Sequence, residues 1–131
     1  MQHVLTFTDE HQGWYALLQD ALQIGSTVER QQDPKAVTRD VRRSEATLQR
    51  TIRAIGVLPE DDAEPKKDPF GLDVDRRKRK LQPGGGVLRV SHPDFVRLQR
   101  YVTLTPWLAD YSEQVTELED WLEAAPQEKD A

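Results

Sequence analysis

Three histidines, His3, His11 and His92, are the side chains best suited to proton transfer or metal binding near neutral pH. No two of them stand four residues apart, the step that places two ligands on one helical face, so the sequence predicts no metal centre. Ser91, His92 and Asp94 supply the residue types of a hydrolytic triad. Neighbours along the chain cannot aim at one another in the relay that acyl transfer needs, however. Ser-His-Pro-Asp reads instead as a helix start, with Ser91 as N-cap and Asp94 reaching back to it. Gly84, Gly85 and Gly86 are followed by Val87-Leu88-Arg89-Val90, a strand pattern, rather than by the Lys-Ser/Thr pair and helix of a phosphate-binding loop. Cysteine is absent, which removes thiol nucleophiles and thiolate-bound zinc from this chain. The expectation is a non-enzymatic protein with no catalytic residue, no metal and no cofactor.

The basic residues form a clearer pattern. Lys35, Arg39, Arg42, Arg43, Arg50 and Arg53 fall within an arc of roughly 100° when plotted at 100° per residue, opposite the apolar positions of the same segment. A guanidinium stripe of this kind suits either phosphate oxygens or the carboxylates of an acidic protein surface. A second basic run, Arg76, Arg77, Lys78, Arg79 and Lys80, leads to the glycine turn, as in a β-ribbon that meets nucleic acid. No aromatic residue interleaves with it, which argues against binding single strands by base stacking. Asp110, Glu113, Glu117, Asp120 and Glu123 make a matching acidic stripe near the C-terminus. The two stripes can neutralise each other within the fold or across a dimer.

The elements that position these stripes follow from periodicity. Residues 3–8 are β-branched and aromatic, a short strand, and Thr8 caps the helix after it. Trp14, Leu17, Leu18, Ala21, Leu22, Ile24 and Val28 recur at helical steps, predicting an amphipathic helix over about 10–31. Asp33–Pro34 starts a second helix, in which Val37, Val41, Ser44, Leu48, Ile52 and Ile55 share one face and Gly56 supplies the stop. A helix over 34–55 would form a helical hairpin with the first. Residues 57–69 carry three prolines and read as a flexible linker. Phe70, Leu72 and Val74 alternate, and the glycines further on predict a β-hairpin, with pairing to the N-terminal strand as an option.

A helix starting at Ser91 is succeeded by a last one at Thr105–Pro106, ending near Pro126 before a flexible tail. Trp107, Leu108, Tyr111, Val115, Leu118, Trp121 and Leu122 form a heptad-like seam along it. That seam either packs on the hairpin or makes an oligomer interface, where Trp and Tyr are favoured anchors.

The composition is consistent with a chain that relies on its surfaces. Apolar residues are 37% and charged residues 31%, which leaves a sparing core and points to disordered stretches or to a partner that covers apolar surface. The net charge of −5 hides alternating blocks, +4 over 35–56 and +7 over 76–100 against −7 over 101–131. No stretch approaches the ~18 apolar residues of a membrane span, and Met1–Thr6 shows no basic region followed by an apolar run. The expected location is the cytoplasm, without membrane contact.

The sequence therefore predicts one domain over 1–131, mainly α, with a helical hairpin, two C-terminal helices and a small β-hairpin or two- to three-stranded β-element. It predicts an interaction or regulatory protein working through amphipathic helices, with another protein or itself as a homodimer. Nucleic acid is the alternative partner.

Overall fold

A computed structural model of the chain describes residues 1–58 and 78–129. The chain is mainly α, with a three-stranded and a two-stranded antiparallel sheet. Strand β1 (Gln2–Phe7) alternates as its sequence demands, turning His3, Leu5 and Phe7 inward. It pairs along its whole length with β4 (Gly86–Ser91), from Gln2 opposite Ser91 to Phe7 opposite Gly86. Its other edge takes β5 (Gln127–Glu128), with the Val4 amide donating to the Pro126 carbonyl at 2.9 Å. The C-terminal tail is thus held by the sheet as far as Glu128, where free chain was expected.

The glycine turn does not close a hairpin on itself. Strand β3 (Lys80–Leu81) pairs with β2 (Gly56–Val57), and the turn carries the chain from that small sheet to β4. Gly84 and Gly85 both adopt positive φ, 82° and 78°. A Cβ on Gly85 would stand 1.9 Å from the Phe7 carbonyl oxygen, so no side chain fits there. The option that does hold is pairing of β4 with the N-terminal strand. The linker expected at 57–69 lies outside the described residues beyond Leu58, as does the Phe70–Val74 alternation.

Helical structure runs from Asp9 to Gln32 as a 3₁₀ turn (Asp9–His11), α1 (Gln12–Asp20), a π-helical turn (Ala21–Gly25) and α2 (Ser26–Gln32). The π turn takes in one residue more than an α turn and so shifts the phase of every position after it. Gly25 and Glu29 are buried, while Ile24, which plain α periodicity places inside, is 41% exposed. Gly25 permits the shift: a Cβ there would lie 2.5 Å from the Tyr101 carbonyl oxygen, so only glycine allows the two helices this close.

Asp33 caps as expected, accepting from the Lys35 amide, with Pro34 in the first position. It opens only a short 3₁₀ turn, Pro34–Ala36; α3 proper is Arg39–Ala54, capped by Thr38 through the Val41 amide. Val41, Leu48 and Ile52 are buried on its inner face. The C-terminal part departs further from expectation. Helix α4 (His92–Leu104) ends where Thr105 becomes extended, as residues before proline prefer. Residues 106–108 are not helical, Ala109–Tyr111 form a 3₁₀ turn, and α5 begins at Ser112 and ends at Glu123.

One core unites these elements. Leu5, Phe7, Tyr15, Leu18, Leu48, Leu88, Leu98 and Leu118 are each at most 1% exposed. At ~1.5–3 kcal/mol per fully buried large side chain, this core is what opposes chain entropy, and polar contacts then select one arrangement.

Candidate interaction surface

Helix α3 presents two faces with opposite electrostatic fates. On the inner side Glu45 accepts a two-pronged contact from Arg30 of α2, at 2.6 and 2.8 Å, and a 2.6 Å hydrogen bond from the Tyr101 hydroxyl of α4. Burial alone would raise the Glu45 carboxyl, but donation from Arg30 and Tyr101 outweighs it and holds the group below its usual range. Tyr101 is pushed up to about 12, first by burial and then by its bond to that carboxylate. Beside it, Glu29 meets Arg100 at 2.6 Å and Arg97 at 3.5 Å, and the Arg97 guanidinium lies 6.0 Å from the centre of the Tyr101 ring. Ser44 donates to Asp94, fastening α3 to the first turn of α4. These contacts fix the rotation of α3 about its own axis.

With that rotation fixed, Arg39, Arg42, Arg43 and Arg50 are exposed on the outer face and Arg53 is half-buried at its end. From Arg39 to Arg53 the stripe runs ~21 Å, at the α-helical rise. Among the described residues no carboxylate pairs with Arg39, Arg42, Arg43 or Arg50; Arg42 and Arg50 make only 3.4 Å contacts to the Val37 carbonyl and the Thr47 hydroxyl. Lys35 is also exposed, on the turn before α3. The arginines of the other described elements differ: Arg30, Arg89, Arg97 and Arg100 all face carboxylates.

The second basic segment does not extend this surface. Arg76 and Arg77 lie outside the described residues. Lys78 pairs with Asp20 at 2.8 Å, and the Arg79 backbone is held from both sides by the Gln19 amide. Lys80 is exposed in β3.

The C-terminal seam divides into two sets. Val115, Leu118 and Leu122 are buried in the chain's own core, so they are not available as an oligomer interface. Trp107 and Trp121 pack against that core, Trp107 donating its indole N–H to the Val102 carbonyl at 2.9 Å. Trp121 joins an aromatic cluster with Phe7, His11 and Trp14. Leu108 and Tyr111 are 70% and 44% exposed, because the break at Thr105–Pro106 puts them ahead of the helix rather than on its buried side. The acidic side of α5 is exposed at Glu113, Glu117, Asp120 and Glu123, with Asp110 exposed in the preceding turn. No ion pair among the described residues joins it to α3, so the two stripes do not neutralise each other within the fold.

The histidines come together in a way that spacing along the chain does not reveal. His3 Nε2 and His92 Nδ1 lie 2.9 Å apart although the residues are 89 positions apart in sequence. His3 is buried and stacks on Phe95 with 3.8 Å between ring centres. Burial, and then His92, lower its pKa below the ordinary 6.5. His11 instead accepts from the Thr8 amide at 2.9 Å, closing the start of the first helical segment. Among the described residues no three histidines, aspartates or glutamates are grouped to hold a metal ion. Ser91 makes no side-chain capping bond, and Asp94 turns to Ser44 rather than back to Ser91.

No protein-family model matches the chain, and comparison with curated proteins and with solved structures returns no match. Among the described residues no helix is long and apolar enough to cross a membrane.

Proposed function

We propose that this is a non-enzymatic interaction protein that recognises an acidic partner through the outer face of α3. One contrast carries the proposal. Arginines on the inner side of the helical layer have carboxylate partners, while Arg39, Arg42, Arg43 and Arg50 stand along one exposed face with none among the described residues. Guanidiniums are forked donors that match carboxylates and phosphates. A rigid row of them on a buttressed helix has little conformational freedom left to lose on binding, beyond the side chains themselves.

A second reading, duplex nucleic acid as the partner, is favoured by the density of arginine along ~21 Å of helix, a length over which a duplex presents many phosphates. The overall charge of −5 and the acidic face of α5 work against it.

Affinity capture from native extract separates these readings when the unmodified chain is compared with Arg39→Ala/Arg43→Ala/Arg50→Ala and half of each sample is treated with nuclease. Capture of a discrete protein that the triple variant loses supports the acidic-partner reading. Capture abolished by nuclease transfers support to nucleic acid. Equal capture by both chains contradicts any role for the α3 face.

A further inference from the structure

We propose that the arginine face of α3 docks on the acidic outer face of α5 in a second copy of this chain, reciprocally, about a twofold axis; this rests on the functional reading above and names its partner. Four exposed arginines, Arg39, Arg42, Arg43 and Arg50, line the first face. Five exposed carboxylates line the second: Asp110, Glu113, Glu117, Asp120 and Glu123. Glu113 to Glu123 spans ~15 Å of helix and the arginine stripe ~21 Å, so the two rows have comparable lengths. None of these five carboxylates pairs with a cation among the described residues, and neither do the four exposed arginines with a carboxylate. Both faces are therefore intact and opposite in sign.

Exposed ion pairs are individually weak, so a row of them needs an apolar anchor. Leu108 and Tyr111, 70% and 44% exposed, flank Asp110 at the entry to α5 and supply one. Arginine side chains offer aliphatic stems for these two residues to lie on while their heads reach the carboxylates.

Within one chain α3 and α5 both pack on α4, so each copy carries both faces. A twofold pair satisfies both faces of both copies at once. A one-way contact leaves one face of each kind open and would grow into a chain of molecules.

The test uses the full chain, light scattering with size exclusion, and two charge-reversed variants at exposed positions. These are Arg39→Glu/Arg43→Glu/Arg50→Glu and Glu113→Arg/Glu117→Arg/Asp120→Arg. At roughly 100 µM the unmodified chain is expected to be a dimer whose dissociation constant rises at least ~10-fold between low salt and about 0.5 M salt. Each reversed variant alone is expected to dimerise at least ~100-fold more weakly, since like charges then face each other. Mixing the two variants is expected to restore the dimer, because each reversed α3 then meets a reversed α5. A neutral Arg39→Gln/Arg43→Gln/Arg50→Gln chain should weaken dimerisation by less, which separates charge from misfolding.

A chain that stays monomeric at every salt concentration, a dimer indifferent to reversal, or a mixture that does not reassociate would overturn the proposal. If the chain is monomeric yet still captures a different acidic protein, or duplex DNA, through the arginines, self-docking is wrong while the α3 face keeps its role as a binding surface. If capture too is indifferent to the arginines, both fail.

Discussion

The same residue type has two roles on opposite sides of one helical layer. Arg30, Arg97 and Arg100 lie with Glu29, Glu45 and Tyr101 between α2, α3 and α4, and each guanidinium meets a carboxylate. Arg39, Arg42, Arg43 and Arg50 on the far side of α3 meet no carboxylate among the described residues. The inner group holds a shape, because Glu29 and Glu45 are shielded from water and lose a partner when an arginine is removed. The outer group makes no such contact among the described residues, and the function proposed above assigns it to a partner. Residue chemistry alone does not distinguish these roles; the position of each charge relative to the three helices does.

The largest effect is expected on the inner side. Glu45→Ala leaves Arg30 and the Tyr101 hydroxyl without their acceptor, and stability should fall by about 3 kcal/mol, read as a lower urea midpoint with an unchanged slope. A midpoint shift no larger than that of a surface substitution would erase the distinction between the two sides. Gly25→Ala ranks second. Its added methyl meets the Tyr101 backbone at 2.5 Å, and forcing α4 away should cost on the order of 2 kcal/mol. Wild-type thermal stability in that variant would mean that the close approach at the π turn is not a constraint.

A pH effect should come next, from His3. The unfolded chain takes up a proton near the ordinary pKa of 6.5, whereas the buried imidazole does so only at lower pH. Stability from this group is therefore complete above about pH 6.5 and is lost as pH falls below it, until the folded imidazole is itself protonated. His3→Leu should flatten that part of the stability profile. A slope that survives the substitution would assign the titration to another group.

The smallest stability effect is expected on the outer face, where Arg39→Ala, Arg43→Ala and Arg50→Ala should each change stability by less than ~0.5 kcal/mol, while the three together abolish partner capture. Large destabilisation by these variants would move the outer arginines into the structural class.

The outer stripe was legible in the sequence because it depends only on local periodicity: Arg39, Arg43 and Arg50 share a face on any helix that covers them. The buried positions Val41, Leu48 and Ile52 were legible for the same reason. What was not legible depends on a change of phase or on distant partners. Ile24 read as core because nothing in its neighbourhood announces the π turn except Gly25, whose reason lies in Tyr101. Glu29 is buried against Arg97 and Arg100, about 70 residues away, so no local pattern marks it. Leu108 and Tyr111 kept the seam's spacing, but the helix they were assigned to starts only at Ser112; Thr105 before Pro106 was the available signal, and it ended one helix without starting the next. The His3–His92 contact required knowing that β1 pairs with β4.

The central claim is that the outer face of α3 is a binding surface, and residue-by-residue arginine footprinting tests it most directly. A dicarbonyl reagent is applied to the chain in native extract at low and at high salt, and the modified peptides are read by mass spectrometry. The account predicts that Arg39, Arg42, Arg43 and Arg50 are protected at low salt and become reactive together at high salt, while Arg97, held by Glu29 in both, changes little. Equal reactivity of the four at both salt concentrations would contradict it.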